Sequence, residues 1–277
     1  MGGLEKLVIG NRYQFSEKIG EGGMGIVFKG NDLQTMQEVA IKVLKPHAAD
    51  NAGRIERFRR EAEAIRQIDH PNIVKVLDTL HERGMYYIVM PYMEAGSLKD
   101  LLGKIKYLSY PRALEMALDL TDALIRTHRV KIIHRDIKPA NVLLDEEGET
   151  HLTDFGAVHM GDKSGITAPG SIIGTYFYMA PEVLRGDPFD QRSDIWSFGV
   201  MLYEMLTGVK PFMGVNSQDL FRAIFKQPPY DPTKIRPDMP PTLIKLLYQM
   251  MHKDVNQRTF SMRQVGAQLE DVLMELG

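Results

Sequence analysis

The chain has 277 residues, 44% of them hydrophobic and 25% charged, enough to bury a large core as one big domain or as two lobes. A net charge of -2 excludes the basic footprint of a nucleic-acid binder, and the run Arg57 to Arg60 is broken by Phe58 as on a solvated helix face. The absence of cysteine excludes disulfides, thiolate metal centres and a cysteine nucleophile, and suits a reducing compartment.

Met1 to Lys6 lead into no sustained apolar run, so neither a secretory leader nor a membrane segment is expected, and Lys6 disfavours acylation at Gly2. From Tyr13 to about Met90 the pattern favours strands, with Ile26-Val27-Phe28, Val39-Ala40-Ile41, Ile73-Val74 and Tyr87-Ile88-Val89 between turn signals. Within this region Gly20-Glu21-Gly22-Gly23-Met24-Gly25-Ile26-Val27 spells G-x-G-x-x-G-x-V, whose glycines let backbone amides approach a phosphate. Taken alone this reads better as a simple Gly-rich hairpin. A dinucleotide-binding turn needs a helix next, whereas Ile26 to Gly30 reads as a strand, and no Gly-Lys-Ser/Thr makes it a P-loop. Lys42 ends the strand at Val39, among apolar neighbours. One helix is predicted between Arg54 and Gln67, where Phe58, Glu61, Ile65 and Ile68 recur at helical spacing. Glu61 therefore stands on the apolar stripe, where a carboxylate needs a cationic partner.

After the break at Glu94 to Ser97 helical patterns dominate, at Ala113 to His128 and again at Leu243 to Met251. Ser193-Asp194 reads as the capped start of a helix running through Ile195, Trp196 and Phe198 to Gly208, apolar nearly all round and so expected in the middle of a lobe. The run Gly161 to Gly170 is expected to be a mobile loop, and the two lobes are expected to meet near Met90 to Gly96, leaving a cleft for a ligand.

The chemistry concentrates in His134-Arg135-Asp136-Ile137-Lys138-Pro139-Ala140-Asn141, followed by Asp154-Phe155-Gly156. Two carboxylates, a lysine and an amide so spaced can supply a proton acceptor, a cation and hard oxygen ligands around a transferring phosphoryl group. These two runs closely match the H-R-D-x-x-x-x-N and D-F-G elements of protein kinases, and the chain resembles that family from Tyr13 to about Leu273. Gly22-Gly23-Met24 and Phe58-Arg59-Arg60-Glu61-Ala62 are most similar to the bacterial PknB-like Ser/Thr kinases, and Lys138 fits the Ser/Thr pattern.

The resemblance implies an α+β, two-lobed kinase fold: a small antiparallel β-sheet lobe with one main helix, and a larger, mainly helical lobe. It places an N-terminal extension at 1–12, the N lobe at 13–92 and the C lobe at 93–277, as one catalytic domain over 13–273. It implies Asp136 as the base, Lys138 as the neutraliser of charge on the transferred group, and a Lys42–Glu61 ion pair directing Lys42 at the nucleotide phosphates. ATP contacts fall to Gly20, Gly22, Gly25, Val27, Ala40, Pro91, Met93 and Leu143. The carbonyl of Pro91 and the amide of Met93 would serve adenine, so the missing N–H of the proline is harmless. Asn141 and Asp154 would hold Mg2+, with Mn2+ as an alternative.

The same resemblance gives structural roles to His134, packed under Phe155, to Thr175, Asp194 and the pair Glu182–Arg258. It makes Arg135 the receptor for a phosphate on the following loop, with Ser164, Thr167 and Ser171 as candidates and Thr167 the best match. Ser97 stands where many basophilic kinases carry a carboxylate, so a preference for basic substrates is not supported. The expected activity is transfer of the ATP γ-phosphoryl group to Ser/Thr hydroxyls of proteins, with transient self-association during autophosphorylation. The expected compartment is the cytoplasm, either for this chain alone or as the kinase domain of a longer protein. The alternatives are a nucleotide-binding pseudokinase scaffold, against which Lys42, Asp136 and Asp154 all stand, and a small-molecule phosphotransferase, disfavoured by the peptide-binding character of Thr175 to Glu182.

Overall fold

The computed structural model describes residues 7–22, 25–44, 52–155 and 176–276, without the side chains of 52–54, 57, 60, 61 and 64. The chain divides into two units, Met1–Ala95 and Gly96–Gly277.

In the first unit, branched and aromatic residues build one antiparallel sheet from β1 (Val8–Ile9), β2 (Tyr13–Glu21), β3 (Gly25–Asp32), β4 (Glu38–Leu44), β5 (Asp78–Glu82) and β6 (Met85–Pro91), in the order β1-β2-β3-β4-β6-β5. Alternation along β4 sends Val39, Ile41 and Val43 into the core with Tyr13, Phe15, Tyr87 and Val89. Phe15 meets Phe28 and Tyr87 edge-on, with ring centroids 5.3 and 6.2 Å apart. Ala40, Lys42 and Leu44 take the other face. Arg12 clamps Asp32 by two hydrogen bonds of 2.9 and 2.6 Å, tying the start of β2 to the end of β3 and holding the Asp32 carboxyl well below the usual carboxylate range.

The helix α1 (Ala52–Arg66) follows β4 and buries Phe58, Ala62 and Ile65. Ile73 and Val74 do not form the expected strand. Ile73 makes only an isolated bridge and Val74 lies in irregular chain, yet both are buried, so their branched side chains serve packing without a ladder. The edge strand β5 is polar and half-buried, and lacks the apolar run that marks the inner strands.

In the second unit α2 (Leu98–Lys104) starts at a capping box in which Ser97 and Asp100 satisfy each other's end of the first turn. α3 (Tyr110–Arg129) buries one stripe, and α5 (Gln191–Thr207) is buried at every residue from Ser193 to Thr207 except Glu204. α5 begins earlier than its sequence suggests. Its cap is Asp190, which accepts from the Arg192 amide, while Ser193 and Asp194 lie inside the first turn and their side chains are spent elsewhere. It ends at Gly208 with φ +74°, where an added Cβ would sit 1.9 Å from the Lys106 carbonyl, so only glycine fits. The short helix α4 (Pro181–Arg185) precedes α5, and α6 (Ser217–Lys226), α7 (Pro241–Met250) and α8 (Met262–Leu276) follow. The hairpin β7 (Val142–Leu144) and β8 (Thr150–Leu152) pairs Val142 with Leu152, and Thr153 donates to the Asn141 carbonyl at 3.0 Å. That register sets Asn141 at the entry of the hairpin beside its exit toward Asp154.

Candidate active site

In the first unit, the signature glycines divide into two kinds. Added Cβ atoms would meet open space at Gly22 and only the Val27 side chain, at 3.9 Å, at Gly20. At Gly25 a Cβ would lie 2.6 Å from the Val43 carbonyl, so this glycine is required by the approach of β3 to β4 whatever the loop binds. The loop closes by a 2.9 Å bond from the Gly22 amide to the Gly25 carbonyl. Lys42 pairs in register with Val27 on β3 and Ile88 on β6, and is buried at 7% exposure. Ala40 pairs with Met90 and Val39 with Pro91. Among the described residues the Met93 backbone enters no hydrogen bond, which leaves it available to a ligand. The Glu61 side chain lies outside the described residues.

In the second unit, the loop from His134 to Asn141 folds around one carboxylate. Asp136 Oδ2 accepts from Lys138 Nζ at 2.6 Å and from Asn141 Nδ2 at 2.9 Å, and the same Nδ2 also reaches the Asp136 carbonyl at 2.8 Å. Among the described residues Oδ1 accepts nothing, so one oxygen of a fixed carboxylate stays open to an incoming hydroxyl. Because the Asn141 nitrogen is spent on Asp136, its amide oxygen points the other way, as a hard donor should for a cation. Among the described residues no three His, Asp or Glu side chains cluster as a metal site. A divalent ion would therefore rest on Asn141, Asp154 and oxygens brought by the nucleotide. Leu143 is half-buried on β7, where it pairs with His151 and bridges to Ser97.

Backbone strain marks both ends of this site. Arg135 and Asp154 are non-glycine residues at φ +72° and +62°, a conformation that costs on the order of 1–3 kcal/mol and persists only when its surroundings impose it. At Arg135 the constraint is Asp194, 1% exposed, whose Oδ1 accepts the Arg135 amide and whose Oδ2 accepts the His134 amide, both at 2.9 Å. His128 Nε2 donates to the same Oδ2 at 2.8 Å. His128 escaped the sequence reading, since nothing in its own neighbourhood marks it.

His134 is fully buried, its ring centroid 4.5 Å from that of Phe155. The Asp136 amide donates to Nδ1 at 3.2 Å and Nε2 donates to the Thr153 carbonyl at 2.9 Å, so the neutral Nε2–H tautomer satisfies both nitrogens. Burial keeps the imidazole below its ordinary range despite the pull of Asp194 and Asp136. The unfolded chain therefore binds this proton first, near pH 6.5, and the stability that neutral His134 contributes is complete above that pH. It is lost as pH falls through the lowered folded value. Melting temperatures should fall from pH 7 toward pH 5, and His134→Gln should flatten that slope even though it lowers stability at pH 7.

Glu182, at the start of α4, and Arg258 meet through two bonds of 2.6 and 2.8 Å at 7% and 4% exposure. Arg258 also donates to the carbonyls of His252 at 3.1 Å and Arg192 at 2.7 Å, and Ser193 Oγ reaches Glu182 at 3.3 Å. Two further groups were not legible in sequence. Tyr178 donates to Glu204, which also accepts from Lys210 at 2.8 Å. Lys253 lies 3.7 Å from the Phe212 ring centroid, and burial together with Arg258 pushes its ammonium down to about 7. Gly156, Thr167, Ser171 and Thr175, together with Ser164, lie outside the described residues.

The protein kinase domain family matches residues 13–268. A probable serine/threonine-protein kinase of Clostridium perfringens is 36% identical over 265 residues, covering 96% of this chain and 39% of the relative. The serine/threonine-protein kinase PrkC of Bacillus subtilis is 35% identical over 246 residues, 89% of this chain and 38% of PrkC. The serine/threonine-protein kinase PknB of Mycolicibacterium smegmatis is 33% identical over 267 residues, 94% of this chain and 43% of PknB. The chain thus spans about 40% of the length of these curated relatives. With its antiparallel sheet unit, its helical unit and this match over nearly the whole sequence, the chain belongs to the protein kinase domain family.

Proposed function

We propose that this chain is a protein serine/threonine kinase that transfers the ATP γ-phosphoryl group to protein hydroxyls, with Mg2+ in preference to Mn2+. The observation that carries the reading is the Asp136 carboxylate, held through one oxygen by Lys138 and Asn141 while the other accepts nothing among the described residues. Asp136 accepts the proton of the substrate hydroxyl at Oδ1, and Lys138 offsets charge on the group in transit. Gly20, Gly22, Gly25, Val27, Ala40, Lys42, Pro91, Met93 and Leu143 hold the nucleotide, and Glu61 orients Lys42. Asn141 and Asp154 hold the metal, which neutralises phosphate charge and aligns the nucleotide when bound. The domain divides at 13–92 and 93–277, with 1–12 as an extension, and Arg135 receives a phosphate placed on Thr167 or Ser171. Among the described residues no helix is long and apolar enough to cross a membrane.

A pseudokinase scaffold finds no support, because Lys42, Asp136 and Asp154 are all retained and the relatives are named as serine/threonine-protein kinases. Purified chain given radiolabelled ATP, Mg2+ and a generic protein acceptor should label serine and threonine of the acceptor. Label confined to a small molecule, or no transfer with intact nucleotide binding, would overturn the reading.

A further inference from the structure

Arg135 is exposed and, among the described residues, has no acidic partner. The neighbouring carboxylate of Asp136 is already engaged by Lys138 and Asn141, and both oxygens of Asp194 accept backbone amides. What the guanidinium does meet is a ring. Its Cζ lies 5.7 Å from the centroid of Phe189, within the range in which a cation is held by an aromatic face. Phe189 is half-buried in the short connection between α4 and α5, and that connection is fastened at both ends. Gly186 closes α4 with φ +98°, the Asp187 amide bonds to the Glu182 carbonyl at 3.0 Å, and Asp190 caps α5 and grips Arg192. Arg135 and Phe189 also line, with Val183 and Ser193, a cavity of about 10 Å³, room for about one water.

We propose that Phe189 is a positioning residue for Arg135: the ring holds the guanidinium by its face, leaving the N–H edge free to receive an anionic group. This rests on the reading of Arg135 as a phosphate receptor and adds to it that part of the active arrangement exists before any phosphate arrives. The strained backbone of Arg135, fixed by Asp194, aims the side chain, and Phe189 keeps it aimed. Once a phosphate binds the edge, the ring becomes partly redundant.

The test compares kcat and KM of the purified chain in dephosphorylated and autophosphorylated forms, for the parent, Phe189→Leu and Phe189→Tyr, each also in an Arg135→Ala background. An exposed cation–π contact converts to about a two- to five-fold effect. Phe189→Leu should lower kcat of the dephosphorylated form by about that factor with KM for ATP unchanged, and should change the phosphorylated form by less than about two-fold. Phe189→Tyr should behave as the parent, and Phe189→Leu should have no further effect once Arg135 is alanine. Equal losses in both phosphorylation states, a loss that persists without Arg135, or no loss at all would each overturn the proposal. If phosphatase leaves the parent unchanged, the phosphate-receptor reading fails, while the Arg135→Ala comparison still decides whether Phe189 acts through Arg135. Should leucine disturb the connection, as a lowered melting temperature would reveal, Phe189→Met keeps the volume without the π face.

Discussion

Asp136→Asn should lower kcat for transfer to a protein hydroxyl by about 10²- to 10⁴-fold, the range general-base catalysis contributes, with nucleotide affinity and melting temperature close to the parent's. The geometry explains why so small a change is so costly. The amide oxygen can keep the Oδ2 position, where Lys138 and Asn141 donate at 2.6 and 2.9 Å. Its nitrogen then occupies the open position and presents N–H to a hydroxyl that needs an acceptor. The loop itself should hold, since Asp194 fixes the His134 and Arg135 amides independently of the substituted side chain. Steady-state kinetics with nucleotide-binding titration and a thermal melt check all three parts. Transfer at the parent rate would remove Asp136 from the base role.

Arg258→Ala should destabilise the second unit by about 3–5 kcal/mol, because it removes one partner of a buried pair and leaves the other uncompensated. Glu182 would retain only the 3.3 Å contact from Ser193, and the carbonyls of His252 and Arg192 would lose their donors. For a unit of this size the loss corresponds to a fall in melting temperature on the order of 10 °C, read by calorimetry so that the two units are followed separately. Arg258→Lys should recover little, since an ammonium cannot reproduce two parallel bonds to a carboxylate while also reaching two carbonyls. The double replacement Glu182→Met, Arg258→Met should cost less than the sum of the single changes, because it leaves no orphaned charge. A shift below about 2 °C for Arg258→Ala would show that water reaches Glu182 and that the pair is not buried in solution.

How much of this was legible in the sequence varied with the range of the interaction. The inner strands and the helices α1, α3, α5 and α7 announced themselves through apolar periodicity, because burial of one face dictates residue type at fixed spacing. Ile73-Val74 was misread and β5 went unmarked for the same reason in reverse. Branched residues went into a core without a ladder, and a polar edge strand needed no apolar run. The start of α5 shows competition between two uses of one residue type. Asp190, Ser193 and Asp194 are all good cap residues, and only the fold assigns Asp190 to the helix end and Asp194 to the amides of a loop 59 and 60 residues earlier.

The sequence by itself determined the family and the order of the chemical groups: the glycine run from Gly20, Lys42, Asp136 with Lys138 and Asn141, then Asp154. Phosphoryl transfer tolerates few substitutes for these types, so they stand in short runs that can be read directly. The tertiary structure alone decided which oxygen of Asp136 stays open among the described residues, that His128 shares Asp194 with the loop amides, and that the Phe189 ring lies beside Arg135. Such partnerships require groups distant in the chain to come within about 3 Å of one another, or a ring within about 6 Å of a cation, and local pattern does not encode those distances.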